Sequence, residues 1–416
     1  MSDTSGPILA ADGTPLKKKL AQTLFRSRVR AFGLVFPLLA FIIISFIVPI
    51  ILLLTQSVYD SRYADLMPNS TAAVANWDAV SDPTEEMAAA MVADLIVARE
   101  TKNIGKVATR VNREKSGTRS LFTKSARSAK KMEPPYLDAL IKKDKKWADI
   151  ETWKAVKISA KKFNPGYVAA AVDLKYNADG SFSRQSEERR IHGMLFYRTL
   201  EISFLVTVFT LLLGYPVAYL LSTLSVKTSN LLLILVLLPF WTSLLVRTTA
   251  WIAMLQGQGV LNDLFVVFGL ATDDDRFSLI YNKTGTLISM THILLPFMIL
   301  PLYSVMKTIP PSYVRAAKSM GAKPATAFWR VYFPQSVPGI GAGALLVFIL
   351  AIGYYITPAL VGGQDGQMIS NIIDFHMRKS LNWNLAAALG LVLLVFVLFM
   401  FWLYDRIVGI DNMKLG

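Results

Sequence analysis

Six apolar runs, each about as long as a bilayer is thick, constrain this chain more than any other feature of it. An α-helix rises about 1.5 Å per residue, so roughly 20 residues cross a hydrocarbon core of about 30 Å. Runs of that size occupy Ala31 to Leu54, about Leu200 to Leu221, Leu231 to Leu255, about Leu287 to Met306, Gly339 to Leu360 and about Leu385 to Tyr404. With 53% hydrophobic residues in 416, the chain is too apolar for an ordinary soluble protein of its length. The expectation is an all-α membrane protein of six transmembrane helices. Continuous runs, rather than alternating segments of about ten residues, argue against an outer-membrane barrel.

The first run is too long for a secretory signal, follows some thirty polar residues and lacks a small-residue cleavage pattern, so it reads as a retained helix. Pro37 and Pro49 within it are tolerable where neighbouring helices satisfy the freed carbonyls. Lys17, Lys18, Lys19, Arg26, Arg28 and Arg30 precede it, and the positive-inside rule puts that end in the cytoplasm. Six crossings return the other end there. The expected organisation is a cytoplasmic tail at 1–30, a first span at 31–54, an extracytoplasmic insertion at 55–195, a five-span core at 196–410 and a cytoplasmic tail at 411–416. Within the core, the loop 307–338 faces the cytoplasm. The insertion carries 24 Lys plus Arg against 18 Asp plus Glu, but long loops translocate largely regardless of charge.

The formal charge of +15 suggests nucleic acid only until the cations are located, because they lie outside the apolar runs. From Arg99 to Lys131 there are 11 basic and 2 acidic residues with sparse aromatic interleaving, which favours a solvated or disordered run, docking of an acidic binding protein or support of the bundle over a nucleic-acid site. No cysteine is present, and His192, His292 and His376 are far apart without ligand spacing, so no metal site is expected. Within the insertion, "TEEMAAAMVADLIVARETK" and "DKKWADIETWKAVKISAKK" have helical composition, and "YNADGSF" reads as a turn between short strands. A small helical or α+β domain is expected there.

The inward loop contains "RAAKSMGAKPATAFWRVYFP", residues 315 to 334. Pro310 and Pro311 end the preceding helix, Ser312 can cap a new one, and Gly321 offers the left-handed position that commonly terminates it. Pro324 suits a first helical position, and the second helix is expected to run until Pro334. Ala316, Ala317, Met320 and Gly321 provide small groups and one flexible thioether, bordered by the cations Arg315, Lys318, Lys323 and Arg330. That pattern suits a docking helix, and a plain solvated connector is the structural alternative.

The spacing Ala316-Ala317, three residues, Gly321, nine residues, Val331, then Phe333-Pro334 resembles the cytoplasmic "EAA" loop of permease subunits in binding-protein-dependent ABC importers. The family usually has glutamate where this chain has Arg315, so a salt bridge expected there is inverted or absent. "LLPFWTSLLVRTTAW" at 237–251, "LNDLF" at 261–265, "ILLPFMILPLYSVM" at 293–306 and "VPGIGAGALLVFILAIGYYITPALVGG" at 337–363 are similar to the spermidine/putrescine-type subfamily. The resemblance lapses between about residues 60 and 190. It implies the type I importer permease fold in a bacterial cytoplasmic membrane, with the first helix wrapping a second permease, two ATP-binding subunits and an external solute-binding protein. It also implies that Arg315, Ala316, Ala317, Met320, Gly321 and Pro334 belong to a coupling loop seated in the ATPase.

The chain itself has no G-x-x-x-x-G-K-[ST] phosphate loop: "NIGKVAT" at 103–109 lacks the first glycine and the hydroxyl. ATP and Mg are therefore expected on the partner ATPase, with no cofactor in this chain and no catalytic residue of its own. Membrane lipid surrounds the spans. "GIGAG" at 339–343 fits a close helix crossing through Gly339 and Gly343.

Polar groups within spans are costly, which makes Glu201, Arg247 and His292 candidates for the solute path. Trp241 and Tyr354 offer aromatic faces for an ammonium group, and Asp374 in "SNIIDFHMRKS" is a second carboxylate. Each has a structural alternative: Glu201 and Arg247 snorkelling, His292 hydrogen-bonded in the bundle, the aromatics packing, Asp374 on an exposed helix face. The expected solute is a polyamine or related small cation, with opines, phosphonates and amino-acid derivatives as alternatives. A secondary carrier is disfavoured by the lack of a convincing inverted repeat. Six spans are also excessive as a mere anchor for the basic outer domain.

Overall fold

The structure, a computed structural model, describes residues 15–408; the tail at 411–416 and the first fourteen residues of the N-terminal tail lie outside the described residues. The chain divides after Gln56 into two units. In the first, α1 (Leu16–Ile42) continues through a π-helical turn, Ile43–Ile47, into α2 (Val48–Thr55). The helix therefore starts about fifteen residues before the apolar run, and its spanning part is Thr23–Thr55. The π turn ends two residues before Pro49. Widening the helix there moves the carbonyls away from the proline ring, so the helix continues where a regular turn would clash.

The second unit opens with a helical domain: α3 (Arg62–Leu66), α4 (Pro68–Ala75), α5 (Glu85–Glu100), α6 (Ile104–Glu114), α7 (Thr118–Ser128), α8 (Tyr136–Lys143), α9 (Ile150–Ala160) and α10 (Gly166–Ala171). Local chemistry sets the helix starts. Thr84 caps α5, its Oγ1 accepting from the Met87 N–H at 3.3 Å ahead of Glu85 and Glu86, and Asp149 caps α9 by accepting from the Glu151 N–H at 2.9 Å. The core is aromatic. Trp147 lies between Phe122 and Trp153 at centroid distances of 5.3 and 5.4 Å, and both indoles are satisfied, donating to Ser125 Oγ and the Trp147 carbonyl at 2.8 and 2.9 Å.

Most of the basic run lies on the outer face of α6 and α7, whose Val107, Val111, Leu121 and Phe122 turn inward and are fully buried, and Arg110 turns inward with them. "YNADGSF" is the turn of an antiparallel hairpin, β1 (Leu174–Tyr176) with β2 (Phe182–Arg184), pairing Tyr176 with Phe182.

The bundle follows: α11 (His192–Thr223), α12 (Val226–Leu237), α13 (Leu244–Leu255), α14 (Val260–Val267) and α15 (Lys283–Thr308). Then come α16 (Pro311–Ser319), α17 (Pro324–Ala327), α18 (Phe333–Gly353), α19 (Ile356–Val361), α20 (Ile369–Arg378) and α21 (Trp383–Val408). Helices α11, α15 and α18 form its centre, packed around Met298 of α15. A methyl group added to Gly343 would lie 2.8 Å from Met298 Sδ, one at Gly339 3.0 Å from Val305 Cβ, and one at Gly214 3.2 Å from Met298 Cγ. The close crossing read from "GIGAG" is present, because only glycine lets the helices approach this far.

Two apolar runs are interrupted. Among the described residues five helices are long and apolar enough to cross a membrane, and a sixth crossing requires counting the bent pair Val226–Trp241 and Leu244–Val267, which turn by 93°, as one. The third run is thus not the continuous Leu231 to Leu255 helix expected. Pro239 withdraws a donor inside a 3₁₀ turn, and Ser243 caps the restart by accepting from the Val246 N–H at 3.2 Å. The fifth run likewise ends early: α18 stops at Gly353, Tyr354 and Tyr355 leave the helix, and α19 restarts with Pro358 in its first turn.

Candidate functional site

The loop 307–338 begins with a correction. Pro310, not Ser312, occupies the N-cap of α16, and Pro311 takes the first helical position, where its missing N–H is no loss. Gly321 then closes α16 as read, with φ +88°. The Gly321 N–H donates to Lys318 O and the Ala322 N–H to Ala317 O, both at 3.0 Å, so two last-turn carbonyls are satisfied by a left-handed glycine. The second helix does not stop at Pro334. From Pro324 it passes through a π segment, Phe328–Tyr332, and joins α18 without a break. The π segment again ends two residues before a proline, as it does before Pro49.

Arg315, Ala316, Met320, Gly321 and Pro334 are exposed, Met320 to 83%. Ala317 is buried against its own chain. Among the described residues no ion pair involves Arg315, Lys318, Lys323 or Arg330. The free face of α16 is therefore small, cationic and capped by one thioether.

What holds this loop to the bundle was not visible as a motif. Phe328 packs on Tyr215, Tyr219 and Tyr332 at centroid distances of 6.2, 5.6 and 5.8 Å. The hydroxyl pairs Tyr332–Ser222 and Tyr215–Ser336 lie at 3.1 and 3.0 Å. Lys307 at the end of α15 donates to the carbonyls of Ser222 and Leu224 at 3.3 and 3.1 Å. The π segment is thus anchored on α11, and the end of α15 is tied to the end of α11. The spacing of Tyr215 and Tyr219 one helical turn apart, and of Phe328 and Tyr332 likewise, was the available signal.

Three of the six candidate path residues come together. Arg247 of α13 lies within electrostatic range of both His292 and Tyr354, and its Nε is buried without a hydrogen-bond partner. Trp251 Nε1 donates to His292 Nδ1 at 3.2 Å, with the rings 5.2 Å apart and edge-on at 66°. Beside them Thr248 and Thr357 share a hydroxyl contact of 3.2 Å, joining α13 to α19. The other three stand apart. Glu201 is ion-paired to Lys283 at the insertion end of α15, Trp241 is 74% exposed on the 3₁₀ turn, and Asp374 pairs with Arg378 at 2.7 Å. Among the described residues no three His, Cys, Asp or Glu side chains form a metal-holding group.

At the insertion end, buried charges fasten the helical domain to the bundle. Arg110 of α6, with its side chain 0% exposed, reaches Asp60 Oδ2 at 3.0 Å and Glu114 Oε1 at 2.6 Å. Asp60 also takes Arg62 Nε at 2.7 Å and the Tyr167 hydroxyl at 2.9 Å, and Arg62 bonds Asn384 on α21. Burial works against the Asp60 charge, but Arg62 and Arg110 outweigh it and hold the carboxyl below its ordinary value. Nearby on α20, burial first, then the fields of His192 and Arg113, push His376 down to about 4.

Comparison with known proteins gives this architecture its context. Residues 202–408 match the family described as the inner membrane component of binding-protein-dependent transport systems. The chain is 33% identical to the spermidine/putrescine transport system permease protein PotB of Haemophilus influenzae, over 54% of this chain and 78% of that protein. The chain belongs to this permease family. PotB of Escherichia coli is 32% identical over 52% of this chain and 78% of its own length. The molybdenum transport system permease protein ModB of Mycobacterium bovis is 27% identical over 45% and 69%. This permease is thus an inner-membrane, multi-pass subunit of an ABC importer and not an enzyme. The helical domain of residues 57–190 lies outside the matched residues.

Proposed function

We propose that the chain carries a polyamine or related small cationic solute across the bacterial cytoplasmic membrane, driven by a separate ATPase. The observation that carries the solute assignment is the likeness to PotB proteins of two organisms over about three quarters of their length. In this reading the chain termini and the loop 307–338 are cytoplasmic and the helical domain is extracytoplasmic. A second permease, homologous or identical, completes the path. Two ATP-binding subunits hold ATP and Mg, and an external solute-binding protein delivers the solute.

The coupling role of the loop rests on its form. A short exposed helix, ended by a left-handed glycine and followed by a π segment anchored on α11, passes a push on α16 into the bundle as a rigid-body movement. A second solute reading, an oxyanion or carboxylate, has its own support in Arg247, whose buried Nε has no partner, and in the likeness to a molybdenum permease.

The test is uptake of labelled spermidine and putrescine into cells lacking the chain and cells with it restored. Uptake lost on deletion and rescued by the intact chain supports the polyamine reading. Unchanged uptake in cells with no redundant system removes polyamines, and molybdate and carboxylate solutes are then assayed in the same cells.

A further inference from the structure

Between the end of α18 and the start of α21 lies a cavity of about 520 Å³, walled by Tyr355, Ser370, Asp374, Met377, Arg378 and Trp383. Its frame is firmly held. Asn371 Nδ2 donates to the Tyr355 carbonyl at 2.7 Å, and the Ile369 N–H donates to Thr199 Oγ1 on α11 at 2.8 Å. Two aromatic side chains beside a carboxylate are the groups an ammonium ion binds, through the ring faces and a charge-assisted hydrogen bond. The volume suits a small organic ligand.

A cation already stands in this site. Arg378 Nε lies 2.7 Å from Asp374 Oδ1, its Nη2 donates to the Tyr355 hydroxyl at 3.1 Å, and its Cζ is 5.8 Å from the Tyr355 ring centroid. The Arg378 side chain is 67% exposed and its partner sits one helical turn back. Solvent-exposed pairs of that kind are weak and exchange readily. The guanidinium is open to solvent, whereas the frame behind it is held by hydrogen bonds.

We propose that this cavity is an ammonium-binding site at the insertion end of the solute path, and that Arg378 is a tethered competitor which an incoming amine displaces from Asp374 and Tyr355. The inference rests on the polyamine reading for its ligand and goes beyond it by naming a site and an internal occupant. It makes a paired demand: removing the guanidinium while keeping the carboxylate strengthens binding of the amine, a lysine in its place does not, and removing the carboxylate weakens binding.

The experiment is putrescine binding to the purified full-length chain, followed by calorimetry and by thermal shift, for the natural chain and for Arg378→Gln, Arg378→Lys and Asp374→Asn. Arg378→Gln is expected to bind about two- to five-fold more tightly, the loss of a weak competing pair. Arg378→Lys stays close to the natural chain and Asp374→Asn loses tenfold or more. Equal affinity across all four, or no binding in any of them while each keeps its natural melting temperature, overturns the site. The uptake assay separates the two claims. Polyamine uptake with Asp374-independent binding leaves the transport reading standing and the site wrong. Asp374-dependent binding without polyamine uptake leaves an ammonium site in a permease for another solute.

Discussion

The two ends of the bundle are fastened by opposite chemistry. At the insertion end, the buried pair Asp60 and Arg110 is flanked by the part-exposed Arg62 and Glu114 and closed by Tyr167 and Asn384. At the loop end, Tyr215, Tyr219, Phe328 and Tyr332 meet through ring edges, one stacked pair and two hydroxyl contacts, with no ion pair among them. Buried charge pairs are all-or-none, since a partial separation strands a charge in a poor solvent. Aromatic contacts are shallow and tolerate sliding. On the proposed coupling role, the insertion end is a fixed brace and the loop end is the element that moves.

The largest expected effect breaks the brace. Asp60→Leu leaves Arg110 and Arg62 without their shared carboxylate and should destabilise the helical domain by about 3–5 kcal/mol, read as protease cleavage within residues 57–190 while the bundle stays intact. Cleavage resistance equal to the natural chain would make the charge set incidental.

Next is the crossing at the centre. Gly343→Leu forces a branched side chain against Met298, already 2.8 Å from the position of a first methyl. It should cost about 1–3 kcal/mol of stability, read as a lowered melting temperature in detergent, and the double variant with Met298→Ala should recover part of it.

A pH effect sharpens the contrast between the ends. His376 titrates normally near 6.5 when unfolded and at about 4 in the fold. Between those values the unfolded chain binds more protons, so its contribution is complete above about 6.5 and is lost as the pH falls toward 4. The melting temperature should fall over that window, and His376→Gln should flatten the decline. A variant profile parallel to the natural one would remove His376 from the account.

The smallest effect separates backbone from docking at Gly321. Its φ of +88° strains any side chain, yet no atom lies within 4 Å of where a Cβ would stand. Gly321→Ala should therefore cost about 1 kcal/mol and Gly321→Asn less, as thermal melts of the purified chain would register.

Much of this was legible because it is repetitive. Helices α11, α15 and α21 each hold a long apolar stretch between polar ends, and glycines four apart in α18 announce a close crossing. The breaks were harder. Pro239 and Ser243 carry the signals of a stop and a cap, but a twenty-residue hydropathy reading averages across them, so the third run looked continuous. Pro334 misled in the other direction, because the π segment before it relieves the clash that normally ends a helix.

The path candidates were each chosen as a polar group in an apolar context, and only the fold shows that Arg247, His292 and Tyr354 share one neighbourhood. Asp60 and Arg110 were unreadable together: fifty residues separate them, and nothing local couples them. The pair Asp374–Arg378 sits at helical spacing, visible in the sequence but without meaning until Tyr355 and Trp383 closed around it.

The account stands or falls on whether the free face of α16 seats an ATP-hydrolysing partner. The direct measurement is recovery of ATPase protein and activity with the affinity-purified chain, compared between the natural sequence and Met320→Asp, which places a carboxylate on the exposed thioether position without touching the fold. The account predicts that the variant melts like the natural chain and loses most of the co-purified ATPase together with solute uptake. Undiminished ATPase recovery and normal uptake would contradict it and return the loop to the role of a connector.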